Sequence, residues 1–201
     1  MYRVAKFCFA VGLATSLTAL PASSSHAGGN PPSQDTPRPI DSSRKMADRD
    51  NAMAEERIGD LCWQGAADHP LNRTEAVRHY GNAANLGIAS AERKLAIAYA
   101  NGDGTRADDA QMLHWQRKAA EAGDAEAAGM LGYAIMIGLD GTYDIVEAAT
   151  WLTLATENAR SEAWRFHAAS YARDAQSMLT QTEQDAFHVR LAHLRATLKE
   201  E

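Results

Sequence analysis

Residue identities recur in this chain at a spacing of 36 positions, and that period constrains the fold more than any other feature. The recurring pairs are Trp115 and Trp151, Gly87 and Gly123, Leu95 and Leu131, Gly102 and Gly138, and Asp108 and Asp144. A unit of this length is too small to bury its apolar face alone, so it must share a core with its neighbours. The period therefore predicts an array of stacked repeats.

The unit at 88–123 shows how each repeat is built. Apolar residues at helical spacing run from 89 to 99, Gly102 and Gly104 interrupt them, and a second apolar stripe runs from 112 to 120. This pattern predicts two helices joined by a turn. Applied to the whole chain, it predicts repeats at 52–87, 88–123 and 124–158, a partial repeat at 160–178 and a capping helix at 181–199.

Four helix starts are predicted from their capping residues. A Ser, Thr, Asp or Asn with Glu or Gln three positions later is the sequence signature of a capped N-terminus. The pairs are Asn72 and Glu75, Asp108 and Gln111, Asp144 and Glu147, and Thr180 and Glu183. Because the first three pairs are 36 residues apart, we expect three helices to begin in register.

The first 27 residues have the organisation of a secretory signal peptide. Arg3 and Lys6 precede the apolar run Phe7–Leu20, and small residues end at Ala27. A membrane-spanning helix needs about 20 apolar residues, so this run is too short for an anchor. We therefore expect export, cleavage after Ala27, a periplasmic or secreted protein, and no membrane insertion after cleavage.

Residues 28–45 contain Pro and Gly among Ser, Asn and Asp, and too few apolar side chains to offset the entropy of ordering them. We expect a flexible leader here, followed by the repeats at 46–201. Two of the 20 basic residues and none of the 26 acidic residues lie before Gly28, so the rest of the chain has a formal charge of −8. Nucleic-acid binding needs clustered cations, so this charge argues against a nucleic-acid partner.

The repeat positions resemble the Sel-1-like repeat family, which is related to the tetratricopeptide repeats. The matching residues of the second unit are Leu95, Ala96, Tyr99, Gly102, Asp103, Gly104, Asp108, Met112, Trp115, Lys118, Ala119, Ala120 and Gly123. The resemblance covers about residues 50 to 175. It implies an all-α, right-handed α-solenoid that acts as an adaptor or scaffold through a concave protein- or peptide-binding surface, with no catalytic residues and no cofactor.

The predicted repeats do not bring catalytic or metal-binding types of side chain together. The six histidines after Ala27 are scattered, and none of the common catalytic or phosphate-binding motifs is present, so no metal or catalytic site is predicted. Cys62 is the only cysteine after Ala27, so an internal disulfide is excluded. Cys62 takes a core position of the repeat, which favours packing over a reactive thiol.

If the related tetratricopeptide geometry applies, non-core positions of the first helices line the groove. The partner-binding residues predicted on this basis are Trp63, Arg93, Ile97, Asn101, Tyr133, Met136, Ile137 and Arg165. The apolar members would form a floor with charged flanks, a composition typical of a protein-binding patch. The alternative is that some of them pack under the leader or the final helix.

Three functions are compatible with this sequence. The first is a non-enzymatic periplasmic scaffold with a regulatory or assembly role. The second, suggested by exported members of the family that this chain resembles, is an immunity protein that binds and neutralises a secreted toxic effector. The third is a cell-wall-related hydrolase, which has been attributed to a cysteine-rich branch whose paired cysteines this chain lacks.

Overall fold

The computed structural model describes residues 40–65, 70–139, 141 and 143–198, with side chains from Asp48 onward. This described part contains eight helices and no strand. The helices are α1 Ile40–Gln64, α2 Arg73–Asn85, α3 Ala89–Asn101, α4 Asp109–Glu121, α5 Ala125–Met136, α6 Ile145–Asn158, α7 Glu162–Ser177 and α8 Gln181–Thr197. The predicted signal peptide and residues 28–39 of the leader lie outside the described residues.

Each helix from α1 to α6 packs against the next helix along the chain. Three hairpins form, α1 with α2, α3 with α4 and α5 with α6, and the second helix of each hairpin packs on the first helix of the next. Each repeat thus shares its core with its neighbours, as the 36-residue period requires. The predicted all-α solenoid of helix-turn-helix repeats is confirmed.

The capping residues start the helices where the sequence predicts. Asn72, Asp108, Asp144 and Thr180 each accept a hydrogen bond from the backbone N–H three residues later. Thr180 and Glu183 form the full reciprocal box. These bonds satisfy backbone donors that a helix leaves free in its first turn, which is why such local pairs locate helix starts well.

The core is built from two clusters of buried side chains. One lies among α1, α2 and α3 and includes Cys62, so the thiol is a packed, free cysteine as the repeat position indicates. The other extends from α4 to α8 around Leu131 and Leu152. A Cβ added at Gly132 would lie 2.8 Å from Leu152 Cγ, so glycine permits the close approach of α5 and α6.

Helix α1 begins inside the stretch that the sequence assigns to a flexible leader. Its first residue is Ile40, so residues 40–45 are helical. The prediction gave weight to the prolines and glycines of the stretch, but the last of these is Pro39 and the next glycine is Gly59. Proline is tolerated just before or at the first turn of a helix, so the helix can start directly after it.

The fourth unit departs from the repeat pattern. Helix α7 buries Ala168, Ala172 and Ala175 rather than the repeat's Leu position, which is the exposed His167. Helix α8 packs on α6, and Phe187 and Leu191 enter the larger cluster. The final helix therefore covers the last regular hairpin, and it ends at Thr197, two residues before the predicted boundary.

Candidate protein-binding face

Ion pairs join the first helices of the repeats side by side. Lys94 of α3 lies 2.8 Å from Glu56 Oε1 and 2.7 Å from Asp60 Oδ1 of α1. On the other side of α3, Arg93 Nε lies 2.9 Å from Asp124 Oδ2 and its Nη1 lies 3.0 Å from Glu126 Oε2 at the start of α5. The ion pairs therefore run from α1 through α3 to α5, and these three helices form one layer.

Aromatic contacts extend this layer from α5 to α7. The rings of Tyr133 and Tyr171 have centroids 4.8 Å apart. Trp164 Nε1 donates to the carbonyl oxygen of Ala125 at 3.4 Å, and a Cβ added at Gly129 would lie 2.8 Å from the Trp164 ring. Glycine at 129 thus leaves room for the indole to pack on α5. We call the surface formed by α1, α3, α5 and α7 the first-helix layer.

Three of the predicted binding residues lie on the first-helix layer with accessible side chains. Ile97 of α3 is half-buried, Asn101 at the end of α3 is exposed, and Ile137 just after α5 is 44% exposed. Tyr133 is half-buried against Tyr171, so it contributes one side of its ring. Arg93 is on the same layer, with its guanidinium held by Asp124 and Glu126.

Two other predicted floor residues are largely used by the core. Trp63 packs against the first cluster, with its ring centroid 6.0 Å from that of Tyr80 and the Arg73 guanidinium 5.0 Å above it. Met136 packs against the second cluster. Arg165 is exposed and donates to the carbonyl oxygen of Ala159, the residue after α6. Trp63, Met136 and Arg165 therefore all have contacts within the described part of the chain.

Glu92 is a buried carboxyl that the sequence reasoning did not identify. Glu92 is 4% exposed, and its Oε2 has no hydrogen-bond partner in the described part of the chain. Burial raises the pKa of this carboxyl, while nearby Lys118 acts in the opposite direction. The local sequence does not indicate that Glu92 is buried. The equivalent position in the third unit is Ala128, and the packing of the next helix decides whether a side chain at this position is exposed.

A second polar cluster lies inside the first hairpin. His79 is buried, and its Nδ1 lies 2.7 Å from Glu55 Oε2, which also accepts from Asn82 Nδ2 at 3.0 Å. The hydrogen bond from His79 is the main reason that the pKa of Glu55 is lowered, with Asn82 next. All three residues pair within α1 and α2, so the cluster holds this hairpin together.

The described residues include a small cavity near the ends of α4 and α6. No group of three His, Cys, Asp or Glu side chains in the part that the structure describes could hold a metal ion. A cavity of about 10 Å³ beside Ala120, Trp151 and Leu198 has room for one water molecule. Within the same residues, no helix has the length and apolar character needed to cross a bilayer.

Comparison with known proteins identifies the repeat. The family model described as "Sel1 repeat" matches residues 52–88, 89–124 and 125–159. No curated protein sequence matches the chain. Sel1 repeat proteins generally mediate protein–protein interactions and are generally non-catalytic scaffolds.

Two solved structures have the same fold. A Sel1 repeat protein from Oxalobacter formigenes is 28% identical with a TM-score of 0.57, and the match covers 62% of this chain and 47% of that one. A protective antigen of uropathogenic Escherichia coli strains that displays an SLR fold is 21% identical with a TM-score of 0.57, and the match covers 78% of this chain and 41% of that one. The matches span less than half the length of both solved chains.

Proposed function

The chain belongs to the Sel1 repeat family, and we propose that it is an exported, non-enzymatic scaffold that binds another protein or an extended peptide in the periplasm, in a regulatory or assembly role. The observation that carries this proposal is the first-helix layer. Its helices are joined by ion pairs and ring contacts, so the layer presents its accessible residues in a fixed arrangement before a partner arrives. A pre-organised surface loses less entropy on binding.

The charges on this layer indicate the partner's chemistry. Lys94 and Arg93 are surrounded by four carboxylates, those of Glu56, Asp60, Asp124 and Glu126. The acidic groups therefore exceed the basic ones around the apolar residues. A segment with apolar side chains flanked by Lys or Arg would match both features, because opposite charges steer association and apolar anchors supply most of the affinity.

Export is supported by the sequence of residues 1–27 and by the position of the described helices. Every described helix lies after residue 39, so removal of residues 1–27 leaves all of them intact. We expect the protein in the periplasmic fraction with Gly28 as its first residue. Recovery of a chain that retains residues 1–27, or of the protein in the cytoplasmic fraction, would contradict export with cleavage.

The binding face can be tested by photo-crosslinking in living cells. A photoreactive amino acid is placed at Ile97 or Ile137 on the first-helix layer, and in a control at Val189, which is 72% exposed on α8. We expect the same crosslinked protein from the first two positions and not from the third. Crosslinks from Val189 alone, or the same products from all three positions, would contradict binding at this face.

The affinity for the captured partner then measures the contribution of the face. We expect Ile97→Asp and Ile137→Asp each to weaken binding at least tenfold, roughly the effect of losing one apolar anchor. Val189→Asp serves as the matched control, since it adds the same charge to an exposed apolar residue elsewhere. Unchanged affinity in both face variants would exclude the first-helix layer as the binding site.

A further inference from the structure

The outer face of α1 contains residues whose equivalents are buried in the following repeats. Ile58 and Leu61 are 40% and 47% exposed, Met53 beside them is 39% exposed, and Ala54 is exposed. The repeat equivalents of Ala54, Ile58 and Leu61 are almost fully covered. They are Ala91, Leu95 and Ala98 in α3 and Ala127, Leu131 and Ala134 in α5, all with 5% exposure or less. In α3 and α5 the second helix of the preceding hairpin packs here, α2 and α4 respectively.

Two exposed charges lie on the same face of α1. Asp50 and Arg57 are seven residues apart, so two helical turns bring them to nearly the same side of the helix. Neither forms an ion pair with another residue that the structure describes. One acid and one base thus lie at equal distances on either side of a point between Met53 and Ala54.

We propose that this face of α1 binds the same face of a second copy of the chain in an antiparallel helix pair. A two-fold interface places residue i of one protomer against residue j of the other, and j against i. An antiparallel pair centred between Met53 and Ala54 brings Asp50 of each copy to Arg57 of the other. A parallel pair would place like charges together, so the charge pattern selects the antiparallel one.

The second copy fits this face better than the leader of the same chain does. Residues 28–39 contain no large apolar side chain apart from prolines, so they cannot supply the contacts that Ile58 and Leu61 lack. The small Ala54 at the centre allows two helices to approach closely. A single pair of helices buries an area near or below roughly 1,200 Å², the low end for specific interfaces. We therefore expect a weak dimer with a dissociation constant in the micromolar range.

Sedimentation velocity over the micromolar range tests the proposal with the chain that starts at Gly28, which retains every described helix. We expect a concentration-dependent dimer, and we expect Ile58→Glu and Leu61→Glu to raise the dissociation constant at least tenfold. Val189→Glu, which introduces the same charge at an exposed apolar residue of α8, should leave the constant unchanged. Circular dichroism and the thermal midpoint verify that each variant is folded.

Charge exchange tests the antiparallel arrangement. We expect D50R and R57D each to weaken the dimer, because two pairs of like charges then face each other. The double variant D50R/R57D restores both attractive pairs in an antiparallel dimer, so its dissociation constant should return to within about threefold of the wild-type value, a difference of well under one kcal/mol. A double variant as weak as the single ones would overturn this arrangement.

Other occupants of the face would give different results, each of which overturns the proposal. A wild-type chain that is monomeric at all concentrations, with or without residues 28–39, would indicate that this face of α1 binds a different protein. A dimer that forms only when residues 28–39 are deleted would show that the leader covers the face. A dimer sensitive to Val189→Glu but not to Leu61→Glu would place the contact on another helix.

Discussion

Trp115 and Trp151 occupy the same position in consecutive repeats, yet their removal should have unequal costs. Trp151 is 3% exposed and belongs to the larger core cluster. Trp115 is partly exposed at the edge of the smaller cluster, with the Lys118 ammonium 4.9 Å above its ring. The repeat pattern alone predicts equal effects, so the comparison separates the contribution of position from that of burial.

The expected magnitudes follow from these environments. Truncation of a buried tryptophan to alanine costs about 3–5 kcal/mol, because the lost transfer free energy and the cavity add. Trp151 Nε1 donates to Glu147 Oε1 at 3.2 Å, but Glu147 is also paired with Arg117 and Arg190, so the carboxylate keeps partners after truncation. We therefore expect about 4 kcal/mol for Trp151→Ala. For the half-buried Trp115 we expect about 2 kcal/mol, since part of its surface already contacts water.

Thermal and urea unfolding of the two variants measure the difference. At roughly 2–4 °C per kcal/mol for a chain of this size, Trp151→Ala should lower the midpoint by about 8–16 °C and Trp115→Ala by about half as much. Phenylalanine at either position should recover most of the loss, because it refills most of the cavity. Equal losses, or a larger loss for Trp115→Ala, would refute the assignment of Trp151 to the more deeply packed site.

Three further predictions concern single side chains. The pKa of the Glu92 carboxyl is raised in the folded protein, so the folded state binds the carboxyl proton more tightly and loses stability as the pH rises through that pKa. Urea unfolding from pH 5 to 8 should therefore show a weaker dependence of stability on pH for Glu92→Gln than for the wild type. Parallel curves for the two proteins would contradict this. Gly104→Ala should destabilise far more than Gly87→Ala. Both glycines have positive φ, but only a Cβ at position 104 would clash with backbone, at the carbonyl group of Arg73. Circular dichroism melts compare the two variants. Thr180→Ala should cost about 1 kcal/mol in the same assay, and no change would show that the α8 cap does not contribute.

The site could be predicted only in part. The repeat pattern assigned Ile97, Asn101 and Ile137 to first helices. In the structure Ile97 and Asn101 lie in α3 and Ile137 directly follows α5, all with accessible side chains. It also selected Trp63 and Met136, which turn toward the core clusters. Periodicity identifies the helix face that meets the next repeat, but a bulky side chain at the border of that face packs wherever its neighbours leave space.

The sequence by itself determined the repeat length, the helical hairpins and the helix starts. These depend on apolar residues three or four apart and on capping bonds across three residues, so each is decided within a short stretch of chain. Only the tertiary structure decided that α8 covers α6, that Lys94 and Arg93 join neighbouring first helices, and that Glu92 is buried. Those features depend on contacts between residues distant in sequence, where small changes in packing break the symmetry that the repeat pattern implies.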